Sequence, residues 1–253
     1  MRIPTAAAAA LLGATQLAGA QSSAEHAALG DREHAALNPA GALAHYQEAI
    51  KLDSTNADAL WKAARDAIDF GEFAPASRTR DSLYHLAEEY ATRSVQANPQ
   101  IAATHFTLAK ALGRAALTKG GREKVSYAGR VREEALAALR LDSLDDGALH
   151  VMGVWNAEIM RLNTILRFVA KNLLGGQVFG EANWDNARRY LERAVALHPE
   201  RIVHHLDLGE VYADTGDKDK AREQYTMVGK LTATEFNDKH YQQQAEEKLR
   251  ELR

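Results

Sequence analysis

Residues 183–230 read NWDNARRYLERAVALHPERIVHHLDLGEVYADTGDKDKAREQYTMVGK and contain one pattern of small and apolar residues twice. Four positions recur with an offset of 34 residues: Ala187, Leu191, Ala194 and Pro199 return as Ala221, Tyr225, Val228 and Ala233. A period of this length indicates repeated pairs of antiparallel helices, in which each pair is one structural unit.

Small residues explain how the two helices of such a pair would pack. Gly209 and Ala221 are small at the point where the helices must cross closely, and Tyr225 fills the space beside them. Gly216 can adopt the left-handed conformation that ends the first helix, and Asp217 can cap the second. These features predict a tetratricopeptide repeat. Because one helix pair cannot bury its apolar face alone, neighbouring pairs should stack on it.

The composition is that of a helical globular protein. Of the 253 residues, 46% are hydrophobic and 26% charged, and only 5 are proline. Alternating β-branched runs bounded by turns are absent, which argues against strands. The formal charge of −3 argues against a nucleic-acid partner. Since the chain has no cysteine, disulfides, zinc–thiolate sites and a cysteine nucleophile are excluded.

The first twenty residues have the pattern of a secretory signal peptide. Arg2 gives a minimal basic start, residues 6–12 begin an apolar core, and Ala18-Gly19-Ala20 is a cleavage signal before Gln21. The alternative is an alanine-rich disordered tail. Cleavage after Ala20 predicts a periplasmic or secreted bacterial protein. It would have no transmembrane span, because no later apolar run approaches the ~20 residues that a bilayer requires.

Helix pairs are predicted along the rest of the chain. We expect a linker at 21–39, with one helix near 25–37, and a repeat domain at 40–253. Four second helices share one ending: Ala49–Ser54, Ser94–Pro99, Ala138–Ser143 and Ala194–Pro199. Their spacings of 45, 44 and 56 residues exceed the repeat period, so the repeats carry insertions of about 10, 10 and 22 residues.

The repeats define a helix order and a fold class. First helices are expected at 57–70, 101–117, 146–160 and 201–215, and second helices at 40–52, 81–97, 123–141, 183–197 and 217–230. A last helix should cap the array with the apolar stripe Phe236, Tyr241, Ala245, Leu249 and Leu252. The fold class is therefore all-α, a tetratricopeptide-like solenoid.

Four stretches also give the chain a family resemblance. They are ADALWKAARDA at 57–67, ATHFTLAKALG at 103–113 with KGGREKV at 119–125, LHVMGVW at 149–155, and LLGGQVFGEANWDNARRYLERAVALHPE at 173–200. In order and spacing they resemble the regulator of microtubule dynamics proteins. The resemblance implies a helical repeat domain used for binding, without a catalytic motif to carry over. Eukaryotic members of that family are linked to microtubules and membrane contacts.

Catalytic and metal-binding patterns are weak. His204 and His205 are adjacent, so on a helix their rings point about 100° apart, which favours a structural or surface role over metal binding. Gly120-Gly121 could hold an anion beside Arg122, although a flexible basic loop is the stronger interpretation. No serine-nucleophile, Walker or dinucleotide motif is present. We expect no enzyme activity, cofactor or metal.

The insertion at about 161–182 contains an amphipathic pattern. Its apolar stripe is Leu162, Ile165, Leu166, Val169, Ala170, Leu173 and Leu174, with Arg161, Arg167 and Lys171 off the stripe. One interpretation is a basic helix that touches a lipid surface. The favoured interpretation is a helix packed between the third first helix and the helix that begins at Asn183.

Partner binding is expected on the concave face formed by the first helices. The candidate residues are Trp61, Arg65, Phe106, Lys110, Arg114, His150, Val154, Glu210 and Asp214. Arginines and lysine would make one half of the groove basic, and the two acids the other half acidic, so a ligand with an acidic end suits the first half. The expected partner is a protein or peptide of the cell envelope. Plain packing is the alternative for Trp61 and Phe106, and an anionic lipid is the alternative ligand.

Overall fold

The structure, a computed structural model, describes residues 22–173 and 177–252. The signal-peptide prediction at 1–20 lies outside these residues. The described chain contains twelve α-helices and no strand. They are α1 Ser23–Ala35, α2 Pro39–Leu52, α3 Ala57–Glu72, α4 Ser77–Ala97, α5 Ala102–Ala115, α6 Gly121–Leu141, α7 Asp146–Arg161, α8 Thr164–Leu173, α9 Trp184–Leu197, α10 Ile202–Asp214, α11 Lys218–Lys230 and α12 Asp238–Glu251. Two short 3₁₀ helices span Ala116–Thr118 and Gln177–Glu181.

The helices form five antiparallel pairs and a cap. The pairs are α1–α2, α3–α4, α5–α6, α7–α9 and α10–α11, and α12 packs on the last of them. Each second helix also contacts the first helix of the next pair. The first helices touch one another in series, α3 with α5, α5 with α7 and α7 with α10, and so line the inner face of the array. The all-α solenoid prediction is confirmed.

A close helix crossing beside a glycine recurs in the first and last pairs. A Cβ atom at Gly209 would lie 2.5 Å from Cε1 of Tyr225, and one at Gly30 would lie 2.5 Å from Cε1 of Tyr46. Each tyrosine follows its glycine by 16 residues. Ala221 is fully buried at the α10–α11 crossing, as predicted. The first pair therefore repeats the register of the last.

The segment expected as a linker at 21–39 contains helix α1, close to the helix predicted near 25–37, and α1 packs on α2 as part of the array. Ser22 begins this helix with a capping box: its hydroxyl accepts from the Glu25 N–H, and the Glu25 carboxylate accepts from the Ser22 N–H. Pro39 occupies the first turn of α2, where its missing N–H costs nothing. The repeat array begins at Ser23 and not at residue 40.

Cap residues fix where the other helices start and stop. Asn56, Asp145, Asn183 and Asp217 each accept a hydrogen bond from the backbone N–H three residues ahead, which satisfies a donor in the first turn. Gly216 has a φ of +84°, so the predicted left-handed end of α10 is confirmed.

The insertion lies outside the α7–α9 pair. A Cβ atom at Gly153 would lie 2.5 Å from Cγ of Leu191, so α7 and α9 pack directly on each other. The favoured prediction, that the amphipathic segment packs between them, is wrong, because no space is left there. Helix α8 contacts the 3₁₀ helix Gln177–Glu181 instead. Ile165 is 75% exposed and Leu166 53% exposed, while Ala170 is buried.

The C-terminal cap agrees with its prediction in part. Tyr241 and Ala245 on α12 are buried, and Leu249 and Leu252 pack against the same core. Phe236 precedes the helix and is 41% exposed, so it does not belong to the apolar stripe. Within the described ranges, every helix is too short or too polar to cross a bilayer.

Candidate functional site

The nine predicted partner-binding residues lie on four consecutive first helices. Trp61 and Arg65 belong to α3, Phe106, Lys110 and Arg114 to α5, His150 and Val154 to α7, and Glu210 and Asp214 to α10. A spacing of four residues keeps the members of each set on one side of their helix. Neighbouring first helices contact each other, so these sets form a continuous strip along the inner face.

Acids on α3 neutralise the cations of α5. The ammonium of Lys110 lies 2.9 Å from a carboxylate oxygen of Asp69, and the Arg114 guanidinium pairs with Glu72. Burial acts to lower the pKa of Arg114, but the Glu72 carboxylate outweighs it and raises that pKa above its ordinary value. The predicted basic half of the groove is therefore wrong, because its cations already have partners. Asp69 follows Arg65 by four residues, so the sequence alone places this acid on the same side of α3 as Arg65.

One arginine pairs with both acids of the acidic half. Arg161, at the end of α7, lies 3.1 Å from Glu210 and 2.7 Å from Asp214 on α10, and 2.6 Å from Glu158 on its own helix. Burial is the main cause that raises the pKa of Glu210, and the neighbouring carboxylate of Asp207 adds to it. The inner face thus carries cross-helix ion pairs, with both signs of charge in each half.

A chain of hydrogen bonds joins α7 to α10 between these two groups of ion pairs. His204 Nε2 lies 2.7 Å from Asp146 Oδ2, and His204 Nδ1 lies 3.0 Å from His150 Nδ1. His150 Nε2 lies 2.9 Å from Asp207 Oδ2. The rings of His204 and His205 are both buried and hydrogen-bonded, so they have structural roles here.

Burial lowers the pKa of His204 to about 4, so its ring is neutral at pH 7. Its Nε2 donates to Asp146, because a carboxylate oxygen can only accept. His150 lies between His204 and Asp207 and contacts both, so neighbours on α10 hold it in place.

The two aromatic candidates have different surroundings. The partly exposed ring of Trp61 lies 5.3 Å from the Arg65 guanidinium, and its Nε1 donates to Asp58 at 3.0 Å. Phe106 lies over Gly147 on α7, where a Cβ atom would come within 2.5 Å of the phenyl ring. The geometry fits Phe106 as inter-helix packing, while Trp61 presents an accessible aromatic surface.

The C-terminal segment reaches back to α3 across the inner face. Asn237 Nδ2 donates to the Asp69 carbonyl at 3.1 Å, a contact between residues 168 positions apart. The rings of Phe73 and His240 stack at 4.2 Å, and Tyr241 meets Phe73 edge-on at 5.8 Å. Burial and the Glu72 carboxylate raise the pKa of Tyr241 well above its ordinary value. This contact, which we call the α3–α12 clasp, lies beside the Arg114–Glu72 pair, because Asn237 Nδ2 also lies 3.5 Å from Glu72.

A cleft of about 200 Å³ remains between the last helices. Arg161, Glu210, Asp214, Tyr225, Lys248 and Glu251 supply most of its lining. Both signs of charge meet there within reach of one bound segment. Such a lining suits a polar ligand with both donors and acceptors, as a peptide has.

Two solved structures resemble this chain over most of their length. A thermophilic TPR protein of Thermus thermophilus matches with a TM-score of 0.61 and 19% identity, covering 88% of this chain and 98% of that one. Pseudomonas aeruginosa pilF matches with a TM-score of 0.54 and 13% identity, covering 91% of each. These similarities, together with the stacked helix pairs, define a tetratricopeptide-like α-solenoid.

The family assignment is more specific. Residues 23–253 match the family described as regulator of microtubule dynamics protein 1-3, so the chain belongs to this family. Regulator of microtubule dynamics protein 1 of Bos taurus is 26% identical over 200 residues, which are 78% of this chain and 62% of the relative. The protein of the same description from Mus musculus is 24% identical over 207 residues, covering 81% and 67%. The match to the Bos taurus protein thus spans less than two-thirds of that relative.

Proposed function

We propose that this protein is a non-enzymatic scaffold that binds a protein or peptide on its inner face. The observation that supports this most is the strip of polar side chains on α3, α5, α7 and α10, which hold one another in place through cross-helix ion pairs. Lys110 and Arg114 remain about 30% exposed, so a partner can reach them without unfolding a helix pair. Trp61 offers an aromatic anchor at one end of the strip.

The charges of the strip suggest the chemistry of the partner. Each lysine or arginine of the strip already pairs with a carboxylate of the protein. A single acidic group of a partner would have to compete with that carboxylate for the cation. A segment with both acidic and basic side chains can pair with both members of an ion pair. We therefore propose a mixed-charge peptide segment, in place of the simple acidic end expected from the sequence.

Affinity capture with two inner-face variants tests the scaffold proposal. Trp61→Ala removes the anchor, and Lys110→Glu reverses the charge beside Asp69, so both should recover roughly tenfold less partner from an envelope extract. Arg222→Glu on α11 is the matched control, since Arg222 is 47% exposed, pairs with Asp219 on its own helix and donates to the Leu252 carbonyl of the cap. Circular dichroism checks that all forms fold. Equal recovery by all forms, or loss in the control alone, would contradict the inner-face assignment.

Export to the cell envelope is a second part of the proposal, and it rests on the signal-like sequence at 1–20. Cell fractionation should place the protein in the periplasm or the medium. Mass spectrometry of its N-terminus should then begin at Gln21. A chain that keeps Met1 and stays with the cytoplasmic fraction would contradict export while leaving the binding proposal intact.

A carried anionic lipid is the alternative ligand. A carrier has to shield acyl chains, whereas the cleft between α7, α10 and α12 is lined mainly by charged side chains such as Arg161 and Lys248. The inner face therefore favours a peptide. Native mass spectrometry of protein purified from cells separates the two, since a co-purifying lipid mass would support the alternative.

A further inference from the structure

Helix α8 has bulky apolar side chains that are exposed and do not pack in the core of the protein. Ile165, Leu166 and Phe168 are 75%, 53% and 62% exposed. At about 100° per residue they span an arc of roughly 160° around the helix. Ala170 is buried and marks the side on which α8 rests against the protein. Nearly half of the circumference of α8 is therefore an unpartnered apolar surface.

The charge around this arc has one sign. No aspartate or glutamate lies between Glu158 and Glu181. Arg161 is occupied by its carboxylate partners on α7 and α10. Neither Arg167 nor Lys171 forms an ion pair in the described part of the chain. Lys171 follows Phe168 by three residues, about 60° beyond the edge of the arc.

We propose that α8 docks on an anionic lipid surface. The helix would lie in the plane of the interface, with Ile165, Leu166 and Phe168 among the acyl chains and Lys171 at the headgroups beside them. Arg167 lies on the opposite side of α8, with its Nη1 3.1 Å from Sδ of Met160. Exposed aromatic and aliphatic residues beside basic ones are the features of helices that bind in this way. The overall charge of the chain is −3, so the protein as a whole is not attracted to anionic lipid. The cations of α8 provide that attraction locally.

A second copy of the chain fits this surface less well. In a twofold contact between α8 helices, Arg167 and Lys171 of one copy would lie near the same residues of the other. The absence of acids between Glu158 and Glu181 leaves nothing on either α8 segment to neutralise them. A lipid surface with anionic headgroups supplies that countercharge. This inference is independent of peptide binding, because α8 lies outside the strip of first helices.

Cosedimentation of the full chain with vesicles tests the proposal. We expect binding to vesicles of phosphatidylcholine mixed with phosphatidylglycerol, and much less to phosphatidylcholine alone. The double variant Ile165→Ser/Phe168→Ser should bind the anionic vesicles about tenfold more weakly. Leu117→Ser/Leu144→Ser is the matched control, because these leucines are 62% and 56% exposed elsewhere on the surface. The control should bind like the wild type.

The cations are tested separately. Arg167→Gln/Lys171→Gln should weaken binding to anionic vesicles and reduce its dependence on salt. Equal binding by the wild type and the Ile165→Ser/Phe168→Ser variant would overturn the proposal, since it would place the contact elsewhere, for example in residues 1–20. Absence of vesicle binding, together with a dimer in ultracentrifugation that the same variant abolishes, would overturn it in favour of a second copy.

Discussion

The α10–α11 pair and the α7–α9 pair contain the same helix crossing, although their sequences are connected differently. Gly209 and Tyr225 are 16 residues apart, whereas Gly153 and Leu191 are 38 apart. In both pairs a Cβ atom on the glycine would come within 2.5 Å of the partner side chain. The extra 22 residues include α8 and a 3₁₀ helix, which lie beside the pair. The crossing therefore determines the pair, and the connection is free to acquire another role.

The largest effect should come from filling either crossing. Gly153→Leu and Gly209→Leu should each lower the free energy of unfolding by about 3 kcal/mol, the upper end of typical overpacking costs. Urea unfolding measures this loss. In hydrogen exchange, Gly209→Leu should lose protection first at about 201–252, and Gly153→Leu first at about 146–197, because each repeat touches mainly its neighbours.

Gly229→Leu is the control for both variants. Gly229 also lies in a helix, α11, but nothing stands within 4 Å of a Cβ atom there. The substitution should be neutral or slightly stabilising, since leucine favours helix more than glycine does. A similar loss of unfolding free energy in all three variants would mean that the loss does not come from close packing at the helix crossings.

The interface between the two pairs should respond to pH. Burial lowers the pKa of His204 to about 4 from an ordinary value of 6.5, so the unfolded chain binds a proton that the folded one does not. Stability from this group is complete above about pH 6.5 and falls as the pH drops towards 4. Between pH 7 and pH 5 the loss should be about 2 kcal/mol, at about 1.4 kcal/mol per unit.

Urea unfolding at pH 7 and pH 5 measures this loss. His204→Gln should flatten the dependence, because it removes the titrating ring from the chain between Asp146 and His150. His85→Gln, an exposed position on α4, should leave the dependence unchanged. An unaltered slope in His204→Gln would assign the titration to another group.

Local features of the last pair were predictable from sequence. The capping residue Asp217, the turn at Gly216 and the buried Ala221 follow from residue type and a 34-residue offset alone. The first pair was not predicted as a repeat, although Gly30 and Tyr46 have the same 16-residue offset as Gly209 and Tyr225.

Contacts between distant helices could not be predicted in this way. Pairing of Lys110 with Asp69 depends on how α3 and α5 rotate against each other, which the periodicity of one helix does not determine. The α3–α12 clasp joins Asn237 to Asp69. In a repeat array each unit is expected to contact only its neighbours, so the repeat pattern does not predict this clasp. The structure places the nine candidate residues on the first helices, as expected from the repeat pattern, but their ion-pair partners could not be predicted.

The first and last pairs differ at one turn position, which should give a smaller effect. Leu37 follows Gly30 by seven residues, as Gly216 follows Gly209, and it also has a positive φ, of 58°. Leucine is disfavoured in this region, whereas glycine is not. Leu37→Gly should raise the free energy of unfolding by about 1 kcal/mol, and Gly216→Leu should lower it by about as much. Thermal unfolding of both variants measures this, and opposite signs are the expected result.

The smallest effect should come from α8, and this prediction tests the comparison most directly. If α8 is outside the pair, Ile165→Ser/Phe168→Ser should change the free energy of unfolding by less than about 0.5 kcal/mol, as is usual at exposed positions. Leu191→Ala in the neighbouring crossing should cost about 3 kcal/mol, because Leu191 is fully buried. Urea unfolding of the two variants side by side gives the ratio. A loss above about 1 kcal/mol in the α8 variant would mean that these side chains pack on the protein in solution, and that the connection stabilises the pair after all.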